Sequence, residues 1–240
     1  ETAKRIGDYQ ARIVCFVVYG QQPSASSQNM DGACSTASEF KDLNPESFVV
    51  FVGSHVAALP SETMHLHSFI DAVCQNEGVY TLRDLLAVTN LKDEFILGRV
   101  KGLVFRNFQK EVIANESSLI VPSNKLEQDL PGMAWDLLPS FSKYRTAGWH
   151  SWSNKSEKEP FAALYTSLGC PYRCSFCMIN IINRTDQGSN ISAADSNKFR
   201  HWSPEFIIKQ FDYFAAHGVK NIKIADELFV LKPRHFMKIC

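Results

Sequence analysis

The sequence has no surplus of either charge: 25 Lys and Arg balance 25 Asp and Glu in a chain of 240 residues. That balance gives no long-range attraction to nucleic acid or to an anionic membrane. Long apolar runs are missing too. The longest, residues 13–19 and 48–52, fall well short of a bilayer crossing. The first residues, Glu1-Thr2-Ala3-Lys4-Arg5, carry neither an initiator Met nor the apolar core of a signal peptide, so a cytoplasmic location is expected. Cysteine is sparse and odd in number, seven in all, which argues against a disulfide framework. No internal repeat or low-complexity tract stands out. What remains is 45% hydrophobic and 21% charged, the composition of a globular protein with one large domain or two small ones.

Periodicity predicts alternating strands and helices. Residues 13–19 and 48–52 are continuous apolar, β-branched runs, as strands buried on both faces require. Cys15 lies in the first run and reads as a small core residue. A polar loop over 20–28 and a helix over 31–42 separate them. A third short strand is expected at 69–73, then a helix over 80–89 with Leu82, Leu85 and Leu86 on one face. His65 and His67 read as surface residues of a short helix or turn. Residues 102–105 and 111–114 suit a hairpin around Asn107. The stretch 122–158, with several Pro and Gly and three of the four Trp, reads as a linker with aromatic anchors. A second α/β unit then begins: a strand at 161–166, an irregular polar stretch over 183–197, and a helix opened by Ser203-Pro204-Glu205 and closed by Gly218. A strand at 221–225 and a helix opened by Pro233 complete it. The pattern is a parallel βαβ series.

Three of the cysteines crowd into Cys170-Pro171-Tyr172-Arg173-Cys174-Ser175-Phe176-Cys177, a C-x3-C-x2-C spacing directly after a strand. Thiolates suit iron, and a short loop can wrap three of them around one face of a cubane cluster. A closed structural site takes four protein ligands, whereas three leave a metal position open for substrate. A zinc site borrowing His150 or His201 is the alternative, although zinc sites favour paired C-x2-C or C-x2-C…H-x3-H spacings. Arg173, Arg184, Arg200 and Lys223 are scattered cations of the kind that usually lie on solvated surface.

The segment 170–177, with the aromatic Phe176 before the third Cys, resembles the signature of the radical S-adenosylmethionine (SAM) superfamily. The resemblance implies a [4Fe–4S] cluster on Cys170, Cys174 and Cys177, with SAM bound through its amino and carboxylate groups at the unique iron. It also implies a 5′-deoxyadenosyl radical that abstracts hydrogen from a small-molecule substrate, and an electron donor such as a flavodoxin or ferredoxin. By the same match Phe176 lies near adenine, and Asp226 or Glu227, at the end of the second barrel strand, contacts the SAM amino group. Ala225-Asp226-Glu227 departs here from the Gly-Gly-Glu form of many members.

Upstream, residues 49–60, Asn76-Glu77-Gly78, residues 81–86 and residues 134–139 are similar to radical SAM proteins that carry a cobalamin domain. The implied fold is α/β: a truncated Rossmann-like cobalamin-binding domain (1–130), a linker (131–158) and the first βα units of a radical SAM partial TIM-type barrel (159–240). Ser24 and Ser26 after the first strand, and Gly53, Ser54 and His55 after the second, are the implied cobalamin contacts. The D-x-H-x-x-G motif that supplies an axial His is absent. The implied activity is cobalamin-dependent methyl transfer to an unactivated carbon. A cobalamin-domain cyclase or rearrangement enzyme, and a non-catalytic iron–sulfur or zinc module, are the alternatives.

Overall fold

The structure is a computed structural model that describes residues 1–19, 23–145, 159–172, 174–180, 182 and 199–240. Arg173, His150, Arg184 and the polar stretch 183–197 lie outside the described residues. The chain packs as two compact units: Glu1–Val121 with Pro171–Lys198, and Pro122–Cys170 with Phe199–Cys240.

The first unit is built on a five-stranded sheet of β1 (Ile13–Val17), β2 (Phe48–Val52), β3 (Ala72–Cys74), β4 (Leu103–Arg106) and β5 (Val112–Ala114), in that spatial order. β1, β2 and β3 are parallel; β4 and β5 run antiparallel, so the sheet is mixed where a parallel series was expected. Strand alternation sorts the core into two layers. Val49 and Phe51 join Met30, Ala37 and Phe40 of α2 (Pro23–Leu43) on one face, along with Ala3 of the short α1 (Thr2–Gly7). Val50 and Val52 join Leu85 of α5 (Val79–Ala87), Val88 and Leu97 of α6 (Glu94–Leu97) on the other. Phe40 and Phe51 are 1% and 0% exposed, and burying a side chain of this size contributes about 1.5–3 kcal/mol. The 107–110 turn joins β4 to β5 as expected, with Asn107 N donating to Glu111 O at 3.0 Å.

Several expectations are corrected. β1 is only half-buried, and its Val17 is 64% exposed. It pairs with β2 alone among the described residues, and an apolar run reads the same at an edge as in a centre. α2 begins at Pro23 rather than 31, so Ser24 and Ser26 lie in its first turns and not in a loop. Pro23 presets the helical φ there. Ser54 opens a short helix, α3 (Ser54–Ala58), followed by α4 (Pro60–Leu66). β3 starts at Ala72 because Asp71 serves as a bridge: its Oδ2 accepts from Val49 N at 2.7 Å and from Lys41 Nζ at 2.6 Å. Leu86 turns outward, 61% exposed, while Thr81, Leu85 and Val88 face the core. Cys15 packs against the second layer as expected, and burial pushes its thiol up to about 11.

The second unit pairs β6 (Phe161–Leu164) in parallel with β9 (Asn221–Ile224), and β7 (Ser167–Leu168) antiparallel with β8 (Arg200–His201). The α8 helix (Pro204–Ala216) starts at Ser203, whose hydroxyl accepts from Phe206 N at 3.1 Å. The stretch expected as a linker is anchored to this helix. Trp135 sits edge-on to Phe214 with ring centroids 4.8 Å apart, and its indole N–H donates to Gln210 at 2.9 Å. Phe141 packs on the same Phe214 ring at 5.8 Å. Two further short helices, α7 (Leu126–Asp129) and α9 (Pro233–Ile239), flank this arrangement.

Gly53 has φ +153°, and a Cβ there would stand 2.1 Å from Val18 O. Gly53→Ala is expected to lower stability by roughly 2 kcal/mol or more. Gly32→Ala, within α2 with nothing inside 4 Å of the new methyl, is expected to raise it by about 0.5–1 kcal/mol. Urea melts of the two variants beside the parent check both signs.

Candidate cofactor sites

In the second unit, parallel pairing brings the ends of β6 and β9 to one edge, with Ala225 N donating to Leu164 O at 2.9 Å. Both chains turn there. Thr166 and Ser167 follow β6; Asp226 and Glu227 follow β9. Asp226 Oδ1 accepts from Thr166 N, and its Oδ2 from Thr166 Oγ1 and Ser167 Oγ, each at 2.6 Å. Thr166 and Ser167 are 0% and 2% exposed. The neighbouring acid has the opposite circumstance. Glu227 Oε2 is buried with no hydrogen-bond partner among the described residues. Burial, reinforced by the nearby Asp226, pushes its carboxyl up to about 7 against a bond from its own backbone amide. Burial, with Glu227 and Asp226 adding to it, also pushes the phenol of Tyr165 up to about 12.

The sequence treats the two acids alike; their contacts differ. Asp226 is occupied by three donors, whereas Glu227 holds a buried acceptor without one, the feature a bound ammonium or amine satisfies. Thr166, Ser167 and Tyr165 were missed in the sequence. Their signal was faint: two hydroxyl residues directly after a strand.

Ser167, Leu168 and Gly169, the last at φ +83° where Gly is favoured, lead to Cys170. Its thiol is half-buried and reduced. Cys174 and Cys177 belong to the first unit and are also reduced, the former exposed and the latter half-buried. Cys177 N donates to Cys174 O at 3.0 Å, so the two thiols stand at the ends of one tight turn. The following turn, Met178–Asn180, packs against α2, with Ile179 buried. Phe176 projects from the turn, 89% exposed. Among the described residues no three His, Cys, Asp or Glu side chains are gathered as a metal site. The donor chemistry still suits an iron–sulfur cluster: three reduced thiols, closely spaced on one loop.

In the first unit, the parallel strands end together at Val18, Gly53 and Gln75. Open α/β sheets bind ligands at this kind of edge. Ser26 is fully buried here, its hydroxyl donating to Val18 O and accepting from His55 N, the latter at 3.0 Å. It therefore ties α2 to the end of β1 and to α3, and Ser54, 6% exposed, is likewise interior. His55 is partly accessible, and its Nδ1 lies 2.8 Å from Ser27 Oγ. Burial chiefly lowers its pKa, with His67 adding to that and Glu62 opposing it, which favours the neutral imidazole. The Ser24 side chain lies outside the described residues. His65 is exposed as expected; His67 is half-buried, with Nε2 3.7 Å from Cys34 Sγ.

The chain is similar in sequence to proteins named as methyltransferases, among them a cobalamin-dependent radical SAM methyltransferase, and its fold is that of a solved cobalamin-dependent SAM radical enzyme. It is 29% identical over 217 residues to the uncharacterised methyltransferase PH0819 of Pyrococcus horikoshii, covering 90% of this chain and 41% of that protein. It is 27% identical over 195 residues to the cobalamin-dependent radical SAM methyltransferase TokK of Streptomyces tokunonensis, covering 81% and 25%. The structure of OxsB, a cobalamin-dependent SAM radical enzyme with aqua-cobalamin and SAM bound, matches the fold with a TM-score of 0.62 at 24% identity, over 99% of this chain and 29% of that one. The chain thus spans less than half the length of these relatives. No family model matches it. Among the described residues no helix is long and apolar enough to cross a membrane.

Glu227 also makes a prediction about stability. Its carboxyl ionises near 4.5 when unfolded and near 7 when folded. The folded state therefore holds the proton more tightly, and stability falls as pH rises from 4.5 to 7. Glu227→Gln is expected to match the parent at pH 4.5 and to exceed it by roughly 1–3 kcal/mol at pH 8. Denaturant melts between pH 4.5 and 8 check the trend.

Proposed function

We propose that this chain carries the cofactor-binding machinery of a radical SAM enzyme that transfers a methyl group to an unactivated carbon of a small molecule. One observation carries the reading: a loop of three reduced thiols follows β6, and shortly after the neighbouring β9 stands a buried carboxylate oxygen, Glu227 Oε2, with no partner among the described residues. When bound, a [4Fe–4S] cluster would supply one electron to SAM, and cobalamin would supply the methyl carrier.

Cys170, Cys174 and Cys177 would ligate the cluster as thiolates. Glu227 would accept a hydrogen bond from the SAM amino group, which relieves the buried oxygen and draws its pKa back down. The Phe176 ring, exposed on its turn, offers a face on which adenine can stack. Asp226 is engaged elsewhere and contributes no SAM contact.

In the first unit the edge formed by Gly53 and His55, braced by Ser26, would receive cobalamin, with Ser24 and Ser54 flanking it. The relatives named methyltransferases favour methyl transfer. A relative named as a synthase and not a methyltransferase, the 4'-phospho-dehydrooxetanocin synthase of Priestia megaterium, 28% identical over 193 residues, keeps a cobalamin-domain cyclase or rearrangement enzyme as the second reading. A flavodoxin or ferredoxin would deliver the electron.

Anaerobic reconstitution with iron and sulfide, followed by EPR of the reduced protein, tests the reading. A cluster signal that SAM perturbs, and that Cys174→Ala removes, is expected. Glu227→Gln should keep the cluster signal and weaken SAM binding about tenfold, as loss of a hydrogen bond at a buried site does. A colourless protein holding one zinc would overturn the proposal.

A further inference from the structure

The residue that stands where many radical SAM proteins have the second Gly of Gly-Gly-Glu is an aspartate, Asp226, and it is fully engaged. It gathers the amide and hydroxyl of Thr166 and the hydroxyl of Ser167 at 2.6 Å each. Thr166 O in turn accepts from Trp202 N at 3.2 Å. Ser167 and Leu168 pair with His201 and Arg200. After Leu168 only Gly169 intervenes before Cys170.

A carboxylate presents acceptors alone, and all three groups facing it donate. The backbone amide has one fixed polarity, whereas the two hydroxyls can turn to accept. An asparagine could keep the amide bond through Oδ1 and lose only the charge on the hydroxyl bonds, and an alanine would leave the buried amide of Thr166 without an acceptor.

We propose that Asp226 is a positioning residue for the cysteine loop: it fixes the path by which the chain leaves β6 and so holds Cys170 in place. Glu227 alone then faces the cofactor. The inference rests on the reading of Cys170 as a cluster ligand, but it can be tested without a cluster.

The test is the rate at which a maleimide alkylates each cysteine in the metal-free, reduced full chain, resolved by peptide mass spectrometry. Asp226→Ala is expected to speed alkylation of Cys170 about fivefold or more, as freed local opening does. Cys174 and Cys177, in the other unit, should keep their parent rates. Asp226→Asn should fall between parent and alanine variant, and Glu227→Gln should leave Cys170 at its parent rate. If Asp226→Ala fails to fold, Ser167→Ala, which removes one of the three donors, decides by the same ratio.

An unchanged Cys170 rate, an equal rise at all three cysteines, or an equal effect of Glu227→Gln would each overturn the proposal. Failure of the parent to assemble a SAM-responsive cluster would count against the enzyme reading, and the alkylation ratios would still decide whether the clamp exists. In protein that does assemble a cluster, Asp226→Ala should also shift the EPR g values before SAM is added, whereas Glu227→Gln should alter only the response to SAM.

Discussion

A half-buried carboxylate set among donors is worth far more than one left alone, and the second unit depends on that difference. Asp226 lies two residues beyond β9 and binds Thr166 and Ser167, the second and third residues beyond β6. Each charge-assisted hydrogen bond of this kind contributes about 1.5–3 kcal/mol. The pairing of β6 with β9 is only four residues long, and a two-stranded sheet is weak by itself. The clamp and the aromatic packing of Trp135 and Phe141 on Phe214 supply what the ladder lacks. The same edge then carries a second acid whose acceptor is left open. Two adjacent carboxylates thus differ in their surroundings, one bonded to three donors and one with a buried oxygen that has no partner among the described residues.

The first unit reaches a similar end by other means. Its parallel strands, with opposite faces sorted into separate core layers, bring three loops to one edge. Ser26 joins two of these by a single buried hydroxyl. The close approach of Gly53 to Val18 O is possible only without a side chain. Both edges are built from groups committed to structure among the described residues.

How much of this was legible in the sequence depends on how local the cause is. The α8 start was readable because Ser203 and Pro204 act within one turn. The hairpin around Asn107 and the β6 and β9 strands were readable for the same reason. The early start of α2 was hidden, because serines favour non-helical local bonds and only the remote partners of Ser26 override that preference. The half-burial of β1 was hidden because exposure depends on neighbouring strands. Asp226 and Glu227 could not be told apart in sequence at all, since their difference lies in partners some 60 residues away.

The order of the chain has a consequence for biogenesis. Cys177 precedes Asp226 by about fifty residues, so at ordinary elongation rates the thiols leave the ribosome roughly 2–10 s before the carboxylate that binds Thr166 and Ser167. β6 waits equally long for β9, and closing so long a loop carries an entropic cost that local contacts cannot offset until the later strand arrives. Through that interval the cysteines are ordinary exposed thiols, open to oxidation or to capture of an unsuitable metal. Any chemistry of Cys170 that needs its path out of β6 to be fixed accordingly belongs to the period after β9 has been synthesised.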